Sequence, residues 1–260
     1  MLEVIDKGSA TESHPAPLLF VHGAWHAAWC WDEHFLDFFA DRGYRALAMS
    51  VRGHGGSSSP RPVRFCSLTN YVDDLVSVTD ALPTKPVLVG HSMGGYIVQK
   101  YLGRGGTPAA VLMASASVKG STAFALRLMR KHPWLMLRST ITGDAAYGFN
   151  TPAVTHTLFY SSATSPSDVE RYAGMVGNES LRVAADTMRP IANPERVTTP
   201  VLVLGAALDS AITLDEVTAT ARAYRTQPEI FPDMGHNMML EPGWASVAER
   251  IDAWLTGQGL

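Results

Sequence analysis

The chain has 260 residues, 46% hydrophobic and 17% charged, an ordinary globular composition and a length suited to one large domain or a domain with an insertion. Its net charge is −3 and no lysine- or arginine-rich stripe runs through it, so no nucleic-acid partner is expected. Cys30 and Cys66 form neither a C-x-x-C motif nor a disulfide framework, which points to a reducing, cytoplasmic compartment. The first residues have no basic flank and no apolar core, so no signal peptide is expected. No apolar run approaches the ~18–20 residues of a bilayer span, so no integral membrane segment is expected either.

Ala16 to Gly23 (APLLFVHG) is nearly unbroken apolar sequence and predicts a buried strand. Residues 29–43 follow as a helix, with Trp31, Phe35, Phe38 and Phe39 on one face and Gly43 as the stop. YRALAMS, residues 44–50, predicts the next strand. Leu68, Tyr71 or Val72, Leu75, Val78 and Leu82 recur at helical spacing ahead of Pro83. A strand over KPVLVG, residues 85–90, leads into a helix over residues 93–102, and Ala109 to Ser115 is strand again. From Val118 to Arg196 the alternation lapses into helical patterns alone. FALRLMRKHPWLMLR, residues 124–138, is rich in Leu, Met and Trp. Ser165 and Pro166 open a helix whose stripe is Val169, Tyr172, Ala173 and Val176, and residues 180–190 form another, closed by Pro190. Pro200 to Asp209 restores the strand pattern. A helix near Leu214 to Tyr224, a strand near Glu229 to Phe231 and a helix from Trp244 to Leu255 complete the chain.

Strands alternating with helices predict an α/β fold: a mostly parallel central sheet with helices on both faces. Parallel strands are buried on both sides, which accounts for their unbroken apolar runs. The expected organisation is a core domain from residues 1–117 and 197–260, with residues 118–196 inserted as a helical cap.

Gly90-His91-Ser92-Met93-Gly94 falls at a predicted strand-to-helix junction and reads G-x-S-x-G. Glycine weakens regular structure by roughly 0.5–1 kcal/mol relative to alanine, so Gly90, Gly94 and Gly95 need a local reason. A turn sharp enough to bring residues 90 and 94 together supplies one. It presents the Ser92 hydroxyl at the sheet edge, beside a helix N-terminus whose free N–H groups suit a developing anion.

A serine hydroxyl needs a base, and the base needs an orienting acid. Asp209, at the end of the restored strand, and His236, in the loop between the last strand and last helix, fall at the same edge as Ser92. Asp215 and Asp233 are weaker candidates for the acid, and Ser115 and Ser117 stand where another acid would follow its strand. After the first buried strand, His22-Gly23-Ala24-Trp25 forms a turn. The Ala24 and Met93 N–H groups are the expected oxyanion hole. Trp25, His91 and Met238 are candidates for the substrate pocket, and His22 is expected to brace its loop. His22, His26 and His34 have no acidic partner at metal-ligand spacing; no metal and no cofactor are expected.

Together FVHGAW, RGHGGSS, GHSMGG, Leu208-Asp209 and GHNMM resemble the α/β-hydrolase superfamily, in its serine-nucleophile esterase- or lipase-like branch with a helical cap. The resemblance covers nearly the whole chain, and its Ser…Asp…His order is that superfamily's. HGAWHAAWCW is also similar to the plant methylesterase and hydroxynitrile lyase group. The lyases carry a lysine just after the histidine; Asn237 stands there, which argues against lyase chemistry. The resemblance implies a serine hydrolase acting on a small-molecule ester, with thioesters and lipid esters among the candidates. The alternatives are C–C bond hydrolysis, cofactor-free perhydrolysis or lyase chemistry on the same triad, and a small-molecule binding protein on a hydrolase scaffold.

Overall fold

The fold is that of a computed structural model, which describes residues 1–142 and 149–260. Among these residues the strands are β1 (Val4–Lys7), β2 (Leu18–Val21), β3 (Ala46–Met49), β4 (Val87–His91), β5 (Ala110–Met113), β6 (Val201–Ala206) and β7 (Pro228–Phe231). They form one seven-stranded sheet in the order β1-β3-β2-β4-β5-β6-β7, parallel except for β1, which runs antiparallel to β3. The core helices are α1 (Trp29–Asp32), α2 (Phe35–Ala40), α3 (Leu68–Ala81) and α4 (Met93–Leu102). Between β5 and β6 lie α5 (Thr122–Lys131), α6 (Pro133–Thr142), α7 (Pro152–Phe159), α8 (Pro166–Gly174) and α9 (Leu181–Asp186). The chain closes with α10 (Leu214–Ala223) and α11 (Trp244–Gly257).

β2 to β6 are buried along their whole length, and the period of two along each strand divides their side chains between two cores. Phe20, Ala48, Val89 and Leu204 pack with Trp31, Phe35 and Ile251 on one side. Leu19, Leu47, Leu88 and Val203 pack with Tyr71, Leu75 and Ile97 on the other. Helices thus cover both faces, which is the condition for a parallel sheet.

The structure departs from sequence expectation at several elements. The helix expected over residues 29–43 is two short helices, because His34 leaves the helical region at φ −147° and α2 starts afresh after it. Residues 124–138 likewise divide at His132, ahead of Pro133, whose ring the helix interior does not accommodate. The edge strand β1 and the helix α7 have weak patterns and were not expected; β1 is only half-buried. Asp209 lies beyond β6 rather than at its end, in the turn that follows Ala206.

Candidate active site

β4 ends at His91 and α4 begins at Met93, so Ser92 alone makes the turn. Its backbone sits at φ 52°, in the left-handed region that side chains rarely adopt. The surrounding structure holds it there: Ser92 N–H donates to Met113 O at 3.2 Å, and its carbonyl accepts from Ala116 N–H at 2.9 Å. A Cβ at Gly90 would stand 2.7 Å from both the Gly94 carbonyl oxygen and the Gly95 Cα. A Cβ at Gly94 would collide with the carbonyls of Val21 and His22 on the neighbouring strand end. Glycine at 90 and 94 therefore makes the turn possible and lets β2 approach it.

Ser92 Oγ lies 2.9 Å from His236 Nε2, and His236 Nδ1 lies 2.7 Å from Asp209 Oδ2. The Asp209 carboxylate accepts the Nδ1 proton, so Nε2 is free to accept from the hydroxyl. Asp209 Oδ1 is in turn held by the N–H groups of Ala211 at 2.7 Å and Ile212 at 2.9 Å. Both the His236 and the Asp209 side chains are almost wholly buried. Within a low-dielectric setting such a hydroxyl–imidazole–carboxylate chain can shift a proton from oxygen to nitrogen and stabilise the cation that results.

The loop after β2 approaches the same point. A Cβ at Gly23 would stand 2.9 Å from His91 Nδ1 and 3.0 Å from Ser92 Cβ, so only glycine lets the two turns meet. Trp25 takes φ 64° immediately after Ala24. Met93 opens α4, so its N–H belongs to the group that a helix leaves without an internal acceptor. Ala24 and Met93 line one cavity with Ser92 and His236.

Three buried histidines brace this edge. His22 Nε2 accepts from Val51 N–H at 3.1 Å, so its Nδ1–H donates to Gly23 O at 2.7 Å. His26 accepts from the Asn237 amide at 3.1 Å and donates to Ala24 O at 2.8 Å. His91 donates from Nε2 to the His236 carbonyl at 3.0 Å. Burial holds all three neutral: the pKa of His26 falls to about 4, and those of His22 and His91 lie well below the ordinary value. His54 is the exception. Burial opposes its charge most strongly, but the Glu179 carboxylate facing Nε2 at 3.3 Å and the backbone acceptors of Arg52 and Asn178 together outweigh it, and its pKa is raised.

The cavity has a volume of about 150 Å³ and is walled mainly by apolar side chains: Trp25, Phe124, Leu128, Met136, Phe149 and Phe159. Trp25 is there as expected, stacked on Phe149 with ring centroids 4.5 Å apart. His91 and Met238 are not. Both are buried: the His91 ring is held beneath the histidine loop by its bond to the His236 carbonyl at 3.0 Å, and Met238 packs in the core.

Sequence reading missed Glu179 and Glu241. Glu179 lines the cavity and accepts from Tyr71 Oη at 2.9 Å and Ser180 N–H at 2.6 Å. Glu241 accepts from Gly235 N–H at 3.1 Å and from Ser161 N–H and Oγ, each at 2.6 Å, tying the His236 loop to the segment after α7. Neither residue sits in a motif. Their only sequence mark is a carboxylate that becomes buried, which depends on contacts distant in the chain.

Residues 18–249 match the model of the Alpha/beta hydrolase family. The chain belongs to that family. It is 38% identical to a non-heme chloroperoxidase of Streptomyces lividans over 34% of this chain and 31% of that protein. It is 33% identical to methylesterase 18 of Arabidopsis thaliana over 42% of this chain and 43% of that protein. The matched stretches thus span less than half of these relatives. The structure of a thermophilic esterase from Thermogutta terrifontis superposes with a TM-score of 0.79 at 23% identity, covering 100% of this chain and 94% of that one. That likeness is one of fold. Among the described residues, no helix of this chain is long and apolar enough to cross a membrane.

Proposed function

We propose that this hydrolase cleaves carboxylic esters of apolar small molecules through an acyl-enzyme on Ser92, with residues 118–196 as a cap over the site. One observation carries the reading: Ser92 Oγ, His236 and Asp209 form a continuous chain at 2.9 and 2.7 Å that opens on an apolar cavity. His236 Nε2 takes the hydroxyl proton as Oγ attacks the ester carbonyl. Asp209 holds the tautomer and stabilises the imidazolium. The oxyanion develops against the Ala24 and Met93 N–H groups, where each donor contributes on the order of 10²–10³ in rate. His236 then protonates the leaving alcohol. Water, deprotonated by the same imidazole, hydrolyses the acyl-enzyme and returns the proton to Ser92.

The apolar lining favours an apolar acyl or alcohol group, and buried free Cys30 and Cys66 favour a reducing, cytoplasmic compartment. The methylesterase relative agrees with ester substrates. Its chloroperoxidase counterpart favours a second reaction on the same triad, in which hydrogen peroxide replaces water in the deacylation and releases a peracid. Asn237 donates to Tyr160 Oη at 3.0 Å, and no lysine stands beside His236 to serve lyase chemistry. A fluorophosphonate probe and a series of p-nitrophenyl esters test the proposal together. The expected result is one labelled serine, with labelling and turnover both lost in Ser92→Ala. Full turnover by that variant would defeat it, and tight ligand binding without turnover would favour a binding protein.

A further inference from the structure

The face that α5 and α6 turn to solvent is more apolar than the rest of the surface. On α6 Trp134 is 80% exposed and Ile141 75%, with Leu137 about half exposed, and on α5 Met129 and Leu126 are about half exposed. Positions 134, 137 and 141 follow helical spacing, so they form one stripe along α6. Residues on that helix also line a shallow groove: Trp134, Leu137, Arg138 and Ile141. The opposite face of α6 supplies Met136 and Ser139 to the cavity that opens on Ser92. The helix is thus a wall one helix thick between the cavity and the exterior.

Charge indicates what this face meets. From Lys119 to Thr142 the chain contains no Asp or Glu, although its net charge is −3. Arg127 is committed to Glu216 at 2.7 Å. Arg130 and Lys131, at the end of α5, are exposed beside the start of the apolar stripe. A second copy of the chain would suit this face poorly, because an isologous contact sets the same cations against each other. An anionic lipid surface suits it well. Tryptophan settles at the headgroup level, aliphatic side chains enter the acyl boundary, and each Lys or Arg near an anionic leaflet adds to the attraction.

We propose that the α5–α6 face docks on an anionic lipid surface, with Trp134 and Ile141 entering the interface and Arg130 and Lys131 at the phosphate level. Docked in this way, α6 places the cavity directly behind the lipid boundary, where an ester-bearing lipid would be the substrate. That consequence rests on the esterase reading; the docking does not.

The test is co-sedimentation of the full chain with phosphatidylcholine vesicles, with and without phosphatidylglycerol, alongside tryptophan emission. The expected result is binding that requires phosphatidylglycerol and weakens with salt, and a blue shift in emission that Trp134→Phe removes. Changing Trp134→Ser together with Ile141→Ser should weaken partitioning by about tenfold or more. Changing Arg130→Ser together with Lys131→Ser should weaken it on the order of thirtyfold at low salt. Both double variants should hydrolyse water-soluble p-nitrophenyl acetate as the native chain does, since these side chains are exposed and lie outside the cavity. Equal binding to neutral vesicles, unchanged binding by either double variant, or a dimer in light scattering that Trp134→Ser dissolves would overturn the proposal. Vesicle binding without ester turnover would leave the docking standing and remove the esterase reading.

Discussion

At the carboxyl edge of the sheet, Ser92, His236 and Asp209 are each held by hydrogen bonds to neighbours distant in sequence. Along α6 the reverse holds: Met136 and Ser139 face a cavity, and Trp134 and Ile141 face solvent. The first region is over-determined, so a small displacement removes a hydrogen bond with no replacement. The second is a loose apolar wall, where side-chain volume matters and orientation matters little. The proposed function assigns chemistry to the rigid edge and selectivity to the helical wall, a division in keeping with the local constraint on each.

The sharpest way to break that contrast is at the edge. Ser92→Ala or His236→Ala should lower ester turnover by on the order of 10⁴-fold or more, and Asp209→Asn by a similar factor, measured as kcat on a p-nitrophenyl ester. Effects under tenfold for all three would mean that the rigid edge does no chemistry.

Glu179 joins the two regions, since it pairs with His54 of the core while lining the cavity from the helical side. Glu179→Ala leaves a buried imidazole without its counter-charge, and a cost of about 3–5 kcal/mol is expected in urea unfolding at pH 6. His54 has a raised pKa in the fold, so the pair's contribution is complete below the ordinary value of 6.5 and fades as pH rises through the folded value. The penalty should therefore shrink toward pH 9. A penalty that does not change with pH would show that packing, not charge, joins the regions.

Acid should weaken the edge by a separate route. The pKa of His26 drops from 6.5 to about 4 on folding, so between these values the unfolded chain binds a proton that the native chain does not. Stability is then full above about pH 6.5 and falls as pH drops toward 4, by on the order of 3 kcal/mol for this one group. His26→Gln should flatten part of that slope in urea titrations at successive pH; an unaltered slope assigns the loss to other groups.

The mildest effect is expected in the wall. Met136→Ala should leave kcat/KM for an acetyl ester within about threefold and shift preference toward longer acyl chains by about tenfold, in keeping with the 1–3 kcal/mol that a hydrophobic pocket distinguishes. A large loss on the acetyl ester would mean that α6 orders the edge as well as walling the cavity.

Much of this was legible before any coordinates. Unbroken apolar runs marked the buried parallel strands because only a strand covered on both faces can be apolar throughout. Gly90, Gly94 and Gly95 marked close approaches because a Cβ at any of them meets another part of the chain at less than 3.0 Å. Less was legible where the local signal was ambiguous. Half-buried β1 lacked contrast, and α1 and α2 shared a helical pattern that His34 interrupts.

The sequence by itself determined the alternation of the buried strands with helices, the turn that presents Ser92, and the three residue types expected at one edge, because each rests on local periodicity or backbone sterics. Only the tertiary structure decided that Trp25 lines the cavity while His91 and Met238 do not, that Glu179 and Glu241 are buried tethers, and that Trp134 stays in solvent. Burial, and with it charge state and access, is set by which distant segments meet, and no local pattern encodes that.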